Sequence, residues 1–176
     1  MSGRLTVHPE RIALLQAMPI FGAISAATLE FLVPRALPVR VQAGDCFFHE
    51  GDSPTGMFVI EAGRVLVSRS RDGQEFLVQE FGPGDCFGEM ALMDLDPRSA
   101  TVRAVEDCLA IEIRPGDLHE LFERDCAQFA LIQMNMGREI CRRLRAADDR
   151  VFALDPSKSR RLGALPTGPP TPEAKR

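Results

Sequence analysis

Phe87-Gly88-Glu89-Met90-Ala91-Leu92-Met93-Asp94-Leu95-Asp96-Pro97-Arg98-Ser99-Ala100-Thr101-Val102-Arg103-Ala104 is the stretch that decides how this 176-residue chain is read. Residues 89–92 suit a short helix, and Gly88 stands immediately before it. The start of a helix offers N–H groups without intrahelical acceptors, a setting that favours an anion. A glycine there lets a ligand come close to the backbone. Arg98 supplies a planar fork that fits a phosphate. Ser99 and Ala100 are small and leave their N–H groups unobstructed. Glu89 can accept hydrogen bonds from hydroxyls such as those of a ribose. The plainer alternative is an ordinary Glu89–Arg98 salt bridge on a loop.

Outward from this stretch the chain alternates short apolar runs with glycine turns. The runs are residues 46–48, 57–60, 65–67, 76–78, 100–105 and 109–113. Between them lie Gly44-Asp45, Gly51-Asp52, Gly63, Asp72-Gly73 and Gly82-Pro83-Gly84-Asp85. Such spacing predicts a mainly β fold of sandwich, jelly-roll or barrel type, with Asp72-Gly73 as a hairpin turn. Helices flank the strands. One is predicted over residues 9–18, and another follows Ser25 or Thr28 as N-cap and closes before Pro34. Asp117 is read as the N-cap of a helix over residues 118–122. A long helix is predicted from near Ala127 to about Leu154. Its apolar stripe is Phe129, Ile132, Met136, Ile140, Leu144, Ala147, Val151 and Leu154. The folded domain is thus placed at residues 10–154. Residues 155–176, rich in Pro, are read as a disordered tail.

Composition narrows the function classes. The formal net charge of −4 argues against nucleic acid as the main partner, since phosphate backbones need a basic surface. The basic residues Lys158, Arg160, Arg161, Lys175 and Arg176 cluster near the C-terminus and would attract nucleic acid only in a salt-sensitive, sequence-blind way. There is no Tyr and no Trp, so a nucleotide base cannot stack on either from this chain. Cys46, Cys86, Cys108, Cys126 and Cys141 show no C-x-x-C spacing and read as buried or semi-buried thiols of a cytoplasmic protein. Neither a signal peptide nor a membrane span is expected. A β-roll enzyme with a histidine metal centre is the nearest catalytic alternative. It is disfavoured, because His8, His49 and His119 fall in three different elements. No nucleophile elbow or P-loop appears, so neither an enzyme nor a metal is expected.

The 87–104 stretch resembles the phosphate-binding cassette of the cyclic-nucleotide-binding domains, whose pattern is roughly F-G-E-x-A/G-L, a variable stretch, then R-S/T/A-A-x-V. A second family signature is similar upstream: Gly44-Asp45, Gly51-Asp52, then Met57-Phe58-Val59-Ile60 with Gly63 and Val65. The resemblance covers roughly residues 10–154 and implies a β-roll with N-terminal helices and a long C-terminal helix. It implies that Glu89 holds the ribose 2′-hydroxyl and Arg98 the cyclic phosphate. The N–H groups of Gly88, Met90, Ala91, Ser99 and Ala100 would lie around the ribose phosphate, next to Phe87. Val67 and Val78 align with walls that touch the base, or are plain core valines. Arg143 aligns with an arginine near the ligand. Ala147 and Asp148 stand where two hydroxyl residues read the adenine amino group in catabolite activator proteins. Both depart from that pattern, since alanine makes no side-chain hydrogen bond and an ionised aspartate only accepts.

The function expected on this basis is a cyclic nucleotide sensor, with cyclic AMP favoured and cyclic GMP the alternative. The long helix is expected to respond to ligand and to form a homodimer. Only about twenty residues follow that helix, too few for a helix-turn-helix module. No specific DNA binding is therefore expected, and the output is expected to pass to another, unidentified protein. A cassette kept only as a dimerisation module is the remaining alternative, and the intact Glu89 and Arg98 speak against it.

Overall fold

Proline and glycine set most of the element boundaries. The computed structural model describes residues 9–154, so the tail expected at 155–176 and His8 lie outside the described residues. The described residues fall into two units that divide between Ile140 and Cys141.

In the first unit α1 (Pro9–Gln16) leads into a single 3-10 turn at Pro19–Phe21 and then α2 (Ala26–Leu32). The predicted first helix therefore stops two residues early. Pro19 starts the next turn instead of merely ending the helix, because a proline at the first helical position gives up no needed N–H. Ser25 caps α2, its hydroxyl accepting from the Thr28 N–H at 3.1 Å.

Eight strands follow: β1 (Leu37–Val41), β2 (Cys46–Phe48), β3 (Met57–Ala62), β4 (Val65–Arg71), β5 (Gln74–Phe81), β6 (Cys86–Phe87), β7 (Thr101–Ala104) and β8 (Cys108–Ile113). They make two antiparallel four-stranded sheets, ordered β1-β8-β3-β6 and β2-β7-β4-β5. Asp72 and Gly73, at φ 53° and 77°, make the tight turn of the β4–β5 hairpin, as their pairing predicts. Period-two alternation assigns the faces of β3 and β8. Met57, Val59, Ile111 and Ile113 pack with the helices in one core cluster. Phe58, Ile60, Cys108 and Ala110 pack with Phe81, Phe87 and Val102 inside the roll. The same alternation puts Glu112 on the inner side of β8.

A four-residue helix, α3 (Met90–Met93), interrupts the strands close to where it is expected. After β8 come α4 (Pro115–Arg124) and α5 (Cys126–Leu154). Asp117 is not the cap of α4. Arg114 is, because Pro115 occupies the first helical position, and the Asp117 carboxylate accepts the Arg114 N–H at 2.8 Å from the third.

The α5 stripe divides. Ile132 and Met136 are fully buried in the chain's own helical core, whereas Leu144 and Val151 are 59% and 66% exposed. Two thiol expectations change as well. Cys86 and Cys108 are buried and Cys46 half-buried, but Cys126, the first residue of α5, and Cys141 are exposed. No helix among the described residues is long and apolar enough to cross a membrane.

Candidate functional site: a buried arginine at the cassette

The two glycine-aspartate turns bracket the segment that carries Arg98. The Gly51 N–H donates to the Arg98 carbonyl at 2.8 Å, and the Arg98 N–H donates to the Asp52 carbonyl at 2.9 Å. The same double pairing recurs at the other end. Gly44 N–H reaches the Ala104 carbonyl at 2.8 Å, and Ala104 N–H reaches the Asp45 carbonyl at 2.9 Å. The upstream signature is thus a pair of backbone clamps on the 98–104 segment.

Arg98 is 3% exposed. Its Nη1 donates to the Gly88 carbonyl at 2.9 Å and its Nη2 to the Gly56 carbonyl at 2.7 Å. Gly88 has φ 77°, and a Cβ there would stand 2.6 Å from Nη1, so a side chain at this position is excluded by both backbone and space. The guanidinium carbon sits 4.1 Å from the centre of the Phe48 ring and 5.7 Å from that of Phe58. Phe47, Phe48, Phe58 and Phe87 form a ring cluster at centroid distances of 5.0–5.9 Å. Burial pushes the Arg98 pKa below the usual arginine value, and the charges of Glu112, Asp52 and Glu89 push it back up. Arg98 takes part in no ion pair among the described residues, and its buried Nε has no hydrogen-bond partner. Glu89 and Arg98 are both buried, at 2% and 3% exposure, so neither is an open loop side chain. A buried cation held by carbonyls, with an unused donor, suits an incoming anion.

The other cassette residues surround this point in the chain. Glu89 is buried at the start of α3, Ala91 and Ala100 are buried, and Met90 and Ser99 are exposed. Phe87 belongs to the ring cluster. Val67 is half-buried and packs on the roll interior. Val78 is 43% exposed, at a register shift where Val67 pairs Gln79 and Ser68 pairs Leu77. An apolar groove of about 380 Å³ lies elsewhere, lined by Leu92, Leu118, Phe122 and Phe129 among others, and has no cationic fork for a phosphate.

The residues of this constellation fall inside a longer match. The cyclic nucleotide-binding domain family matches residues 38–125, half of the chain. The chain belongs to that family. This cyclic nucleotide-binding domain is 29% identical over 135 residues to the cyclic AMP receptor protein of Thermus thermophilus, covering 76% of this chain and 61% of the relative. The regulatory domain of Toxoplasma gondii PKA, solved with cAMP, superposes with a TM-score of 0.59 at 26% identity, over 65% of this chain and 45% of that one. A cyclic nucleotide-binding domain from Methylobacillus flagellatus shares the fold at a TM-score of 0.73 and 20% identity, over 81% of this chain and 80% of that one. The chain spans about three-fifths of the length of the first curated relatives it matches, 61% and 59%.

Arg143 and Asp148 belong to the unit that begins at Cys141, Arg143 half-buried and Asp148 exposed. Three contributors escape the sequence reading: Phe48, Gly56 and Glu112. Phe48 and Gly56 carry no local signal of their role. Glu112 does, as an acid on the inner side of a strand whose neighbours are apolar.

Proposed function

We propose that this domain is a sensor, not an enzyme, and that its ligand is a 3′,5′-cyclic nucleotide, cyclic AMP. The observation that carries the reading is Arg98, buried without an ion pair among the described residues, with its Nη1 on the Gly88 carbonyl and its Nε unused. The cyclic phosphate is assigned to Arg98 and the nearby N–H groups of Gly88, Met90, Ala91, Ser99 and Ala100. The ribose 2′-hydroxyl is assigned to Glu89, and the base to Val67 and Val78. Arg143 and Asp148 are assigned to the ligand-bound state of α5. The Thermus relative is a cyclic AMP receptor protein and the Toxoplasma domain is solved with cAMP, which supports the base choice. Cyclic GMP is the second reading. Ser99 is exposed and can meet a guanine amino group, and Asp148 can accept from guanine N1–H and N2–H₂. Competition of the two nucleotides on one sample decides. Cyclic AMP is expected to win, and a preference for cyclic GMP that vanishes in Asp148→Ala reverses the assignment.

The proposed output runs through α5 in the cytoplasm, by a homodimer that acts on a partner protein. Its support is the exposure of Leu144, Val151 and Phe152 beyond the half of the stripe that the chain itself buries. Two such faces can cover each other. A ligand moves this segment only by contacting its two states differently, and the reading assigns that difference to Arg143 and Asp148. Hydrogen exchange, on samples weighed by light scattering at tens of micromolar, tests both parts. Amides 127–154 are expected to gain protection with nucleotide in a dimeric species. A monomer mass, or protection confined to residues 88–100, overturns this output.

A further inference from the structure

We propose that Glu112 makes the site discriminate by phosphate charge, favouring a singly charged cyclic phosphodiester over a doubly charged phosphomonoester such as the hydrolysed nucleotide. The inference rests on the reading of Arg98 as the phosphate ligand. Glu112 is 6% exposed on the inner side of β8, directly opposite Phe58, one of the rings near Arg98. Its side chain closes on Gly56. A Cβ at Gly56 would stand 3.0 Å from Glu112 Cγ and 3.2 Å from Oε1. The carbonyl of that same Gly56 accepts Arg98 Nη2 at 2.7 Å. The carboxylate and the guanidinium thus meet the same residue, Gly56. Among the acids that offset the burial of Arg98, Glu112 acts most strongly, ahead of Asp52 and Glu89. Its own partner is Arg114, half exposed, at long distances of 3.3 and 3.4 Å.

A fixed negative charge near the residue that holds the phosphate repels every phosphate, but not equally. Coulomb energy scales with the ligand's charge. A cyclic phosphodiester carries one negative charge, whereas a monoester carries close to two above its second pKa of about 6. Whatever factor Glu112 removes from the affinity of a monoanion, it removes the square of that factor from a dianion. With a weak, partly screened repulsion the expected factors are about 3 and about 10. Arg114 shields the carboxylate from the far side, so its loss acts in the opposite sense.

The test compares three nucleotides of the purine that the domain prefers, at pH 8, by displacement of a fluorescent cyclic nucleotide. They are the 3′,5′-cyclic phosphate, the 5′-phosphate dianion and the 5′-(methyl phosphate), an acyclic monoanion. In Glu112→Gln the dianion is expected to gain about tenfold and both monoanions about threefold. Glu112→Asp is expected to keep the wild-type ratios, and Arg114→Met to widen the gap between monoanion and dianion. Equal changes for all three ligands, or none, in Glu112→Gln overturn the proposal and leave Glu112 a packing residue. Should that variant not fold, an unchanged gap in Arg114→Met overturns it equally. A wild-type protein that binds none of the three removes the reading of Arg98 itself, and this proposal with it.

Discussion

Arg98→Ala is expected to lower cyclic nucleotide affinity by roughly 1.5 to 3.5 decades, while the protein stays folded. The affinity term follows from losing a charge-assisted contact in a closed site, about 2–5 kcal/mol. The stability term is small for a different reason. Arg98 is a buried cation with no ion pair among the described residues, so truncation removes a desolvated charge as well as its contacts. What the variant loses are the donations to the Gly88 and Gly56 carbonyls and the stack on Phe48. The backbone clamp from Gly51 and Asp52 does not depend on the side chain and survives. Calorimetry reads the affinity, and a thermal melt on the same samples reads the fold. Wild-type affinity in Arg98→Ala would remove the phosphate assignment.

Phe87→Ala has the opposite signature. A loss of about 3–5 kcal/mol of folding stability is expected. Phe87 is 2% exposed and its ring lies 5.0–5.9 Å from those of Phe47, Phe48 and Phe58, which come from both sheets. Its strand, β6, is held by only two register pairs, Phe58 with Phe87 and Val59 with Cys86, so side-chain packing does much of the anchoring. Truncation opens a cavity between the sheets and loosens the residue next to Gly88. Urea denaturation measures the change. A midpoint close to wild type would show that the remaining three rings close the gap.

The sequence carries the site more legibly than it carries the site's support. Gly88, Glu89, Arg98, Ser99 and Ala100 stand out because the proposed anion site would constrain residue type at fixed local spacing. Asp72-Gly73 does the same for its hairpin. The clamps at Gly44-Asp45 and Gly51-Asp52 are visible as motifs, yet their partners, Ala104 and Arg98, lie about sixty and about fifty residues away and emerge only from the pairing of β2 with β7. Phe48 reads as one more apolar residue in a run, because nothing local says that a guanidinium will lie on its ring. Asp117 shows the ambiguity of helix starts, where a carboxylate serves equally at the cap and three residues inside. The α5 stripe is continuous in sequence, although its first half is covered by the chain's own core and its second half is open. A periodic pattern states that a face is apolar and leaves unsaid what covers it.

The ring cluster around Arg98 also makes the domain unusual to look at. With eleven Phe and neither Trp nor Tyr, the near-ultraviolet absorption of the protein is weak, and a purine ligand dominates any mixture of the two. Bound nucleotide is therefore visible directly after the free ligand is removed, without a label. Four of those eleven rings sit locked against one another at the site, and rigid phenylalanines give sharp vibronic circular-dichroism bands where mobile ones give almost none. A tryptophan placed at an exposed site position such as Val78 would then be the only such fluorophore in the chain.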